Sequence, residues 1–600
     1  MPALSQRFAP FLIFLVCLFI HNAMVGAQAA AEAQPALQQR LEQIFFDEPH
    51  QLRGNPIYTM GPLLDLYRKN DFQPLWTRHE LVAELGKALL AAADEGLNPT
   101  DYHLESVNTA LAEGNWPASP RQAMDWDILF SDALILLGEH ILHGKVDGRV
   151  DGRDVEEKEG LAAGPPPEVD VDYYLHILRT GEIAAAMAAR APQHPNYQAL
   201  KRGLAQYREI ASLGGWPAVP EGPSLKPGMT GKRVTALRQR LVASGDLAAD
   251  KAEGVLYDAE LVAAVQSFQD HYGLEVDGIS GKNTIAAMNR SVEERIEQIC
   301  ANLERTRWIL HDMPASALLV DIAGFQLHYR HNGELRWSSR VMVGQPYHQT
   351  PVFRSAITYL VLNPTWTIPP GMLKNETIPN ILKDRSYLNR ENLKVYDLQG
   401  APIDPNSIEW SRYLDRGFPY LIRQDAGPDN ALGRIKFMFP NPFHVYLHDT
   451  PAKSLFGRNS RALSHGCIRV QSPLDLGRML LANDPGNTMT ETRFDEILAS
   501  GKTTGLSLNN PLPVFLLYAT AKGNADGSLS FNPDVYNRDA AVIEALKQPP
   551  RALLQKPLIA ASPPGAHLSE IPVEETHQPA DSHEPEQASE YPPKPATVDG

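Results

Sequence analysis

Phe443-His-Val-Tyr-Leu-His448-Asp-Thr450 and, after a loop, Ser464-His-Gly-Cys-Ile-Arg-Val470 decide the fold of this chain. In the first segment Phe443, Val445 and Leu447 alternate with His444, Tyr446 and His448. That period of two predicts a half-buried strand with three polar rings on one face. The loop at 451–463 is rich in Lys, Arg, Ser and Gly, and is long enough to return the chain to the end of that strand. Cys467, Arg469 and Gln471 then share one face of a second strand, with Ile468 and Val470 facing inward. Ser472-Pro-Leu-Asp475 carries the signature of a helix start: an N-cap, proline at the first position and an acid in the first turn. Leu476, Met479 and Leu480 bury that helix.

Two histidines and one cysteine can therefore meet at adjacent strand ends. A nucleophilic cysteine needs a partner that stabilises its thiolate, and an imidazolium within hydrogen-bond reach lowers the thiol pKa. Gly466 allows close backbone approach, so that main-chain N–H groups can face a developing oxyanion. The competing reading is a buried cysteine beside structural histidines. The residues alone do not separate His448 from His465 as base, because His465 shares the cysteine's face along a strand.

Upstream, Ala317–Ile322, Phe325–Arg330 and Arg340–Val343 are short β-rich runs, and Asn332-Gly333 is a hairpin turn. A charged, irregular stretch at 371–432 breaks the strand rhythm and predicts an inserted lid or cap. The β-rich domain is expected over 316–540. Before it, 291–312 reads as one linker helix with Val292, Ile296, Ile299 and Leu303 on a stripe and Cys300 beside it as a small hydrophobe. Residues 224–290 predict a three-helix module: Val234, Leu237 and Leu241; Leu261, Val265, Phe268 and Tyr272, stopped by Gly273; then an Asp277-Gly278 turn and a third helix capped by Ser280. Residues 36–220 predict a helical region, with Leu85, Ala88 and Leu89 and Leu134, Leu137 and Ile141 at helical spacing. Its His140/His143 pair has no third ligand nearby and reads as structural.

The Ser-His-Gly-Cys-Ile-Arg signature with its upstream His-Asp-Thr resembles the active site of L,D-transpeptidases with a YkuD-type catalytic domain. Asn363-Pro-Thr-Trp-Thr-Ile-Pro-Pro370, Asn430–Pro440 and Pro511–Tyr518 extend the likeness. Gly228–Leu237, Phe268-Gln269, Gly273-Leu274, Asp277-Gly278 and Gly281 with Thr284 look like a peptidoglycan-binding domain. The resemblance implies a multidomain α+β protein: helical scaffold, three-helix peptidoglycan-binding module and β-rich catalytic domain with a capping insertion. It implies Cys467 as nucleophile and His448 as general base/acid, oriented by a backbone carbonyl. His465 and Gly466 fall to the oxyanion region, and Tyr446, Trp366, Ser464 and Arg469 to substrate binding, with core packing the competing role for Trp366. The implied partners are peptidoglycan stem peptides, donor and acceptor, joined in 3→3 cross-links through a Cys467 thioester after loss of D-Ala. The same site implies carbapenem sensitivity. The alternatives are an L,D-carboxypeptidase or endopeptidase and an enzyme anchoring lipoproteins to peptidoglycan. The chemistry as drawn needs no metal and no organic cofactor, and no residue set is assigned to a metal.

Composition sets the frame. With 55 Lys+Arg against 71 Asp+Glu, the formal charge of −16 disfavours non-specific nucleic-acid binding. Three cysteines exclude a disulfide scaffold. Arg7, the apolar run Phe11–Ile20 and the small residues at Val25-Gly26-Ala27 predict a signal peptide over 1–27. That segment takes Cys17 with it and leaves an exported, periplasmic protein with no stable membrane span. Cys300 and Cys467 remain and are expected to be free thiols. The stretch 549–600 is proline-rich, and its last fifty residues carry five more acidic than basic side chains, the composition of a disordered tail.

Overall fold

A computed structural model describes residues 36–47, 49–112, 119–146, 168–310, 313–524 and 527–553. The segment expected as a signal, and the tail beyond its first five residues, lie outside the described residues. The chain is a multidomain α+β protein. No helix among the described residues is long and apolar enough to cross a membrane.

The helical domain is built around α1 (Pro120–His143). Ser119 caps it by accepting from the Gln122 N–H at 3.2 Å, and Pro120 holds the first position. Every residue from Ile128 to Leu137 is buried, Ser131 and Asp132 included, which makes it a central helix rather than a surface one. The carboxylates it buries are fully engaged. Asp132 accepts from the Thr59 backbone and hydroxyl at 2.8 and 2.7 Å and contacts His103 Nε2 at 2.8 Å. His140 is buried against the Tyr102 hydroxyl at 3.0 Å, whereas His143 faces Glu139 at 3.6 Å, so the pair is divided between two environments. Helix α2 (Pro195–Ser212) is the last helix of this domain.

The small module is α3 (Lys232–Ala243), α4 (Ala259–His271) and α5 (Lys282–Met288). Gly273 follows α4 in the left-handed region (φ 61°), as a helix stop requires. Ser280 does not cap α5. It is buried, exchanges backbone hydrogen bonds with Leu225 and meets the Tyr257 hydroxyl, and Gly281 takes the cap position.

Helix α6 (Val292–Leu310) keeps its apolar stripe, but its polar side is buried as well. Arg305 pairs with Asp539 at 2.5 Å, and the Gln298 amide donates to the Thr520 carbonyl at 3.0 Å. Arg307 is enclosed by Glu304, the Tyr197 hydroxyl and the Glu95 carbonyl. Apart from Glu304, these partners come from segments far away in sequence, beyond the reach of a periodicity argument.

The β-domain has nine strands: β1 (Ala317–Asp321), β2 (Gln326–His331), β3 (Glu334–Gly344), β4 (Phe353–Leu362), β5 (Ile435–Met438), β6 (Leu447–His448), β7 (Ala462–Ser464), β8 (Ile468–Val470) and β9 (Thr504–Leu517). Their order is β7-β3-β8-β6-β5-β4-β9-β1-β2, and β2 also pairs with β3, so the sheet closes on itself. The β2–β3 hairpin turns on Asn332 (φ 52°) and Gly333 (φ 82°), the two positive values a type I′ turn needs. Helices α7 (Pro473–Ala482) and α8 (Glu491–Ser500) cover one face through Leu476, Leu480 and Phe494. Ser472 precedes α7 in a left-handed conformation (φ 77°), and its side chain makes no cap hydrogen bond, so the expected cap is a turn residue.

Between β4 and β5 the insertion is more ordered than its charged sequence predicts. It has a four-stranded sheet (Trp366–Thr367, Leu421–Gln424, Leu393–Tyr396, Pro402–Ile403 in spatial order) and its own core around Ile378, Ile381, Val395, Trp410 and Ile422. After β9 the hairpin Ala521–Gly523/Leu529–Phe531 and α9 (Asp539–Lys547) fold back onto the helical domain. Ala521, Leu529 and Phe531 belong to its core, while Tyr536 reaches back into that of the β-domain. Residues 521–540, expected to close the β-domain, therefore pack largely elsewhere.

Candidate active site

Strands β5, β6, β8 and β3 lie side by side and carry the site. The strand predicted over 443–448 is shorter than its alternation implies: only Leu447 and His448 are β. His444 takes a left-handed φ of 56°, and the Asn441 side chain brackets the bend by bonding both the N–H and the carbonyl of Val445. Val445 and Leu447 still enter the core, and the Tyr446 and His448 rings meet edge to face at 5.6 Å. Strands β6 and β8 are parallel with Leu447 opposite Ile468 and His448 opposite Arg469, which sets Cys467 beside Tyr446.

The turn before β8 is held from inside. The Ser464 hydroxyl donates to the Cys467 carbonyl at 2.6 Å and accepts from the Gly466 N–H at 3.1 Å. The Gly466 carbonyl accepts from the Thr350 hydroxyl at 2.8 Å. Gly466 has φ 111°, and a Cβ there would meet nothing nearer than 3.8 Å, so glycine is required by the backbone and not by lack of space. The Gly466 N–H expected at an oxyanion is thus engaged within the turn, as is Ser464. Trp366 packs half-buried on the core of the insertion, the competing role in the sequence reading.

His448 and His465 separate clearly. His448 is buried, and its Nδ1 donates to the Asp449 backbone carbonyl at 2.5 Å, which leaves Nε2 as the acceptor nitrogen. Gly466 turns the chain so that His465 does not follow the strand face. Its Nε2 lies 3.0 Å from Glu376 Oε1 of the insertion, and its ring stands 5.1 Å from that of His348. No ligand set was legible for these three side chains, because each comes from a different segment.

Electrostatics reverse one sequence expectation. Burial, aided by the charges of Arg469, Lys436 and Lys453, pulls the His448 pKa down to about 3 against the pull of the Asp449 hydrogen bond. Burial pushes the Cys467 thiol up, and hydrogen bonds from Tyr446 with the charges of Arg469 and Lys436 offset this only in part. The resting pair is neutral imidazole and thiol, because desolvation penalises both charges of an ion pair. Both free thiols are retained: Cys467 here, and Cys300 in α6 against Gly96, where burial raises its pKa to about 11.

Lys436 had no assigned role in the sequence. It sits opposite His448 in the β5–β6 ladder with its ammonium 5.6 Å from the Tyr446 ring centre, and burial lowers its pKa. Its alternation with the inward Ile435 and Phe437 is the signal that points it to this face. Arg469 is half-buried, its pKa lowered by burial, and its Nε finds no hydrogen-bond partner among the described residues. Two desolvated cations beside a thiol form a site for an anionic group or a developing oxyanion.

Residues 315–487 match the family model described as the L,D-transpeptidase catalytic domain, YkuD. Residues 62–204 match one described as a scaffold domain, and 230–288 one described as "Putative peptidoglycan binding domain". A curated Haemophilus influenzae protein described as "Putative L,D-transpeptidase" is 39% identical over 253 residues, 42% of this chain and 50% of that protein. The chain thus spans half the length of this relative. Among solved structures, an L,D-transpeptidase (Yku) from Stackebrandtia nassauensis aligns at 14% identity and TM-score 0.19, covering 52% of this chain and 99% of that one. One from Xylanimonas cellulosilytica aligns at 16% and 0.16, covering 50% and 98%.

Proposed function

We propose that the chain acts as an L,D-transpeptidase, as its match over 315–487 and its 39% identity to a relative described as one suggest, and that it forms 3→3 cross-links between peptidoglycan stem peptides through a thioester on Cys467. The observation that carries the assignment is the His448 tautomer. With Nδ1–H held by the Asp449 carbonyl, Nε2 is the nitrogen left to accept a proton.

In the first half-reaction Cys467 sulfur attacks the carbonyl carbon between the third residue of a donor tetrapeptide and its terminal D-Ala. The S–H proton passes to His448 Nε2, the C–S bond forms, and the carbonyl π pair moves onto oxygen. With the Gly466 N–H engaged by Ser464, the Cys467 N–H is the donor at the turn for that oxygen, and Arg469 and Lys436 supply positive potential. Collapse breaks the C–N bond, and the imidazolium returns its proton to the departing D-Ala amine. The side-chain amine of an acceptor stem then attacks the thioester and gives up a proton to His448. The departing sulfur is reprotonated and the new amide remains. The neutral resting pair fits this sequence, since charge separates only as the carbonyl is attacked. The module at 230–288 would hold the enzyme on the wall. The segment at 1–27 would deliver it to the periplasm.

Purified protein incubated with disaccharide-tetrapeptides tests the reading by mass spectrometry. Dimers lacking one D-Ala are expected. Tripeptides alone would make water the acceptor and the enzyme a carboxypeptidase. Cys467→Ala should remove every product and every carbapenem adduct, and residual turnover would refute the nucleophile.

A further inference from the structure

We infer that His348, Glu376 and His465 form a site for a divalent cation of the zinc type, and that the ion latches the insertion onto the turn that carries Cys467. One ligand atom from each side chain lies within 4.8 Å of the other two. A tetrahedral zinc ion with bonds of about 2.0–2.2 Å sets its ligand atoms roughly 3.3 Å apart. His465 Nε2 and Glu376 Oε1 are already 3.0 Å apart, so only the third ligand needs to move, by rotation of exposed side chains.

The donor set selects the metal. Two imidazoles and one carboxylate suit zinc, whereas calcium and magnesium take oxygen ligands throughout. Three protein ligands leave a fourth position for water. The cluster contains no cysteine, so the ion lies beside the thiol rather than on it. This site is independent of the acyl-transfer chemistry, which needs no metal.

Two of the ligands sit on a preorganised frame. His348 closes a turn through its N–H to the Gln345 carbonyl at 2.8 Å, and the Gln345 N–H donates to the Ser464 carbonyl at 2.9 Å. Thr350 ties the same loop to the Gly466 carbonyl, and Tyr536 ties it to Gly344 and Thr350. The His348 and His465 backbones are thereby fixed relative to each other. Glu376 arrives from the insertion, in the π-helical turn Leu373–Thr377, a geometry frequent at functional positions. Without metal, a single exposed contact joins it to His465, and such a pair contributes about 0–1 kcal/mol. With metal, three coordinate bonds join the same segments, so occupancy governs how firmly the insertion closes on the turn.

The test uses the untagged full-length protein. Titration calorimetry with Zn²⁺ and the visible spectrum of added Co²⁺ are read for the native protein, His348→Ala, Glu376→Gln and Cys467→Ala. The native protein and Cys467→Ala should bind one more tight equivalent than the other two variants, with the absorption of four-coordinate cobalt. Zinc should also slow hydrogen exchange across 373–383 in the native protein and not in His348→Ala. Equal stoichiometry and affinity in all four proteins would overturn the site. Loss of the equivalent in Cys467→Ala would move the ion onto the thiol, and binding without added protection at 373–383 would overturn the latch.

Discussion

Gly433→Ala tests whether a backbone carbonyl positions His448. Gly433 lies at φ 59°, and a Cβ built on it falls 2.4 Å from Asp449 Cγ and 2.5 Å from Asp449 Cβ. Ordinary contact is near 3.4 Å or more, so Asp449 must retreat by about 1 Å. Its carboxylate is not free to yield: it accepts from the Arg434 N–H at 2.9 Å and pairs with Lys453. The displacement therefore passes to the Asp449 backbone, whose carbonyl holds His448 Nδ1 at 2.5 Å. Left-handed alanine costs about 1–2 kcal/mol by itself, and the strained contact adds about 1–3 kcal/mol. A misplacement of about 1 Å in a catalytic group can lower a rate about 100-fold. We expect acylation by a carbapenem, followed by intact mass, to slow on that scale, with thermal midpoint and circular dichroism reporting the stability loss separately. A folded variant that acylates within about twofold of the native rate would refute the argument that this carbonyl sets the imidazole.

Two further outcomes follow from buried charge. His448 and His140 both have pKa values lowered to about 3 by burial, from 6.5. The unfolded chain binds protons that the native one refuses, so stability is undiminished above about 6.5 and falls by about 1.4 kcal/mol per histidine for each pH unit below it, down to about 3. Urea midpoints across that window should show the slope, and His140→Gln should remove about half of this component. Breaking the Arg305–Asp539 pair by Asp539→Ala should cost about 3–5 kcal/mol, because a buried guanidinium loses its carboxylate. Chemical denaturation that moves by under about 1 kcal/mol would contradict that placement.

Much of the site was legible because it is local. Leu447 and Ile468 face inward as their alternation requires, and Asn332-Gly333 makes the hairpin its dipeptide announces. Where local rules failed, a nearby geometric demand overrode them. Alternation alone overextended a strand that the left-handed His444 and the Asn441 bracket cut short. Strand logic put His465 on the face of Cys467, but one positive φ at Gly466 turned it away. The charge states were illegible, since desolvation depends on what covers a side chain. Spacing could not foretell that Thr520, Asn532 and Asp539 would satisfy the polar side of α6.

The return of 521–547 to the helical domain has a consequence for the order of assembly. Leu529 packs against Gly203, and Phe531 stacks on Tyr272 at 5.3 Å, so residues from the end of the folded chain complete cores begun near its start. Such long-range closures slow folding, because loop entropy is lost before the contacts form. A nascent chain that has emerged only as far as Cys467 still lacks the pieces that seal its helical domain, and the apolar faces of α2 and α4 stay open until the last strands arrive. The docking of the module at 230–288 onto the rest of the molecule waits on the same late segment, since Phe531 supplies the ring that Tyr272 stacks against.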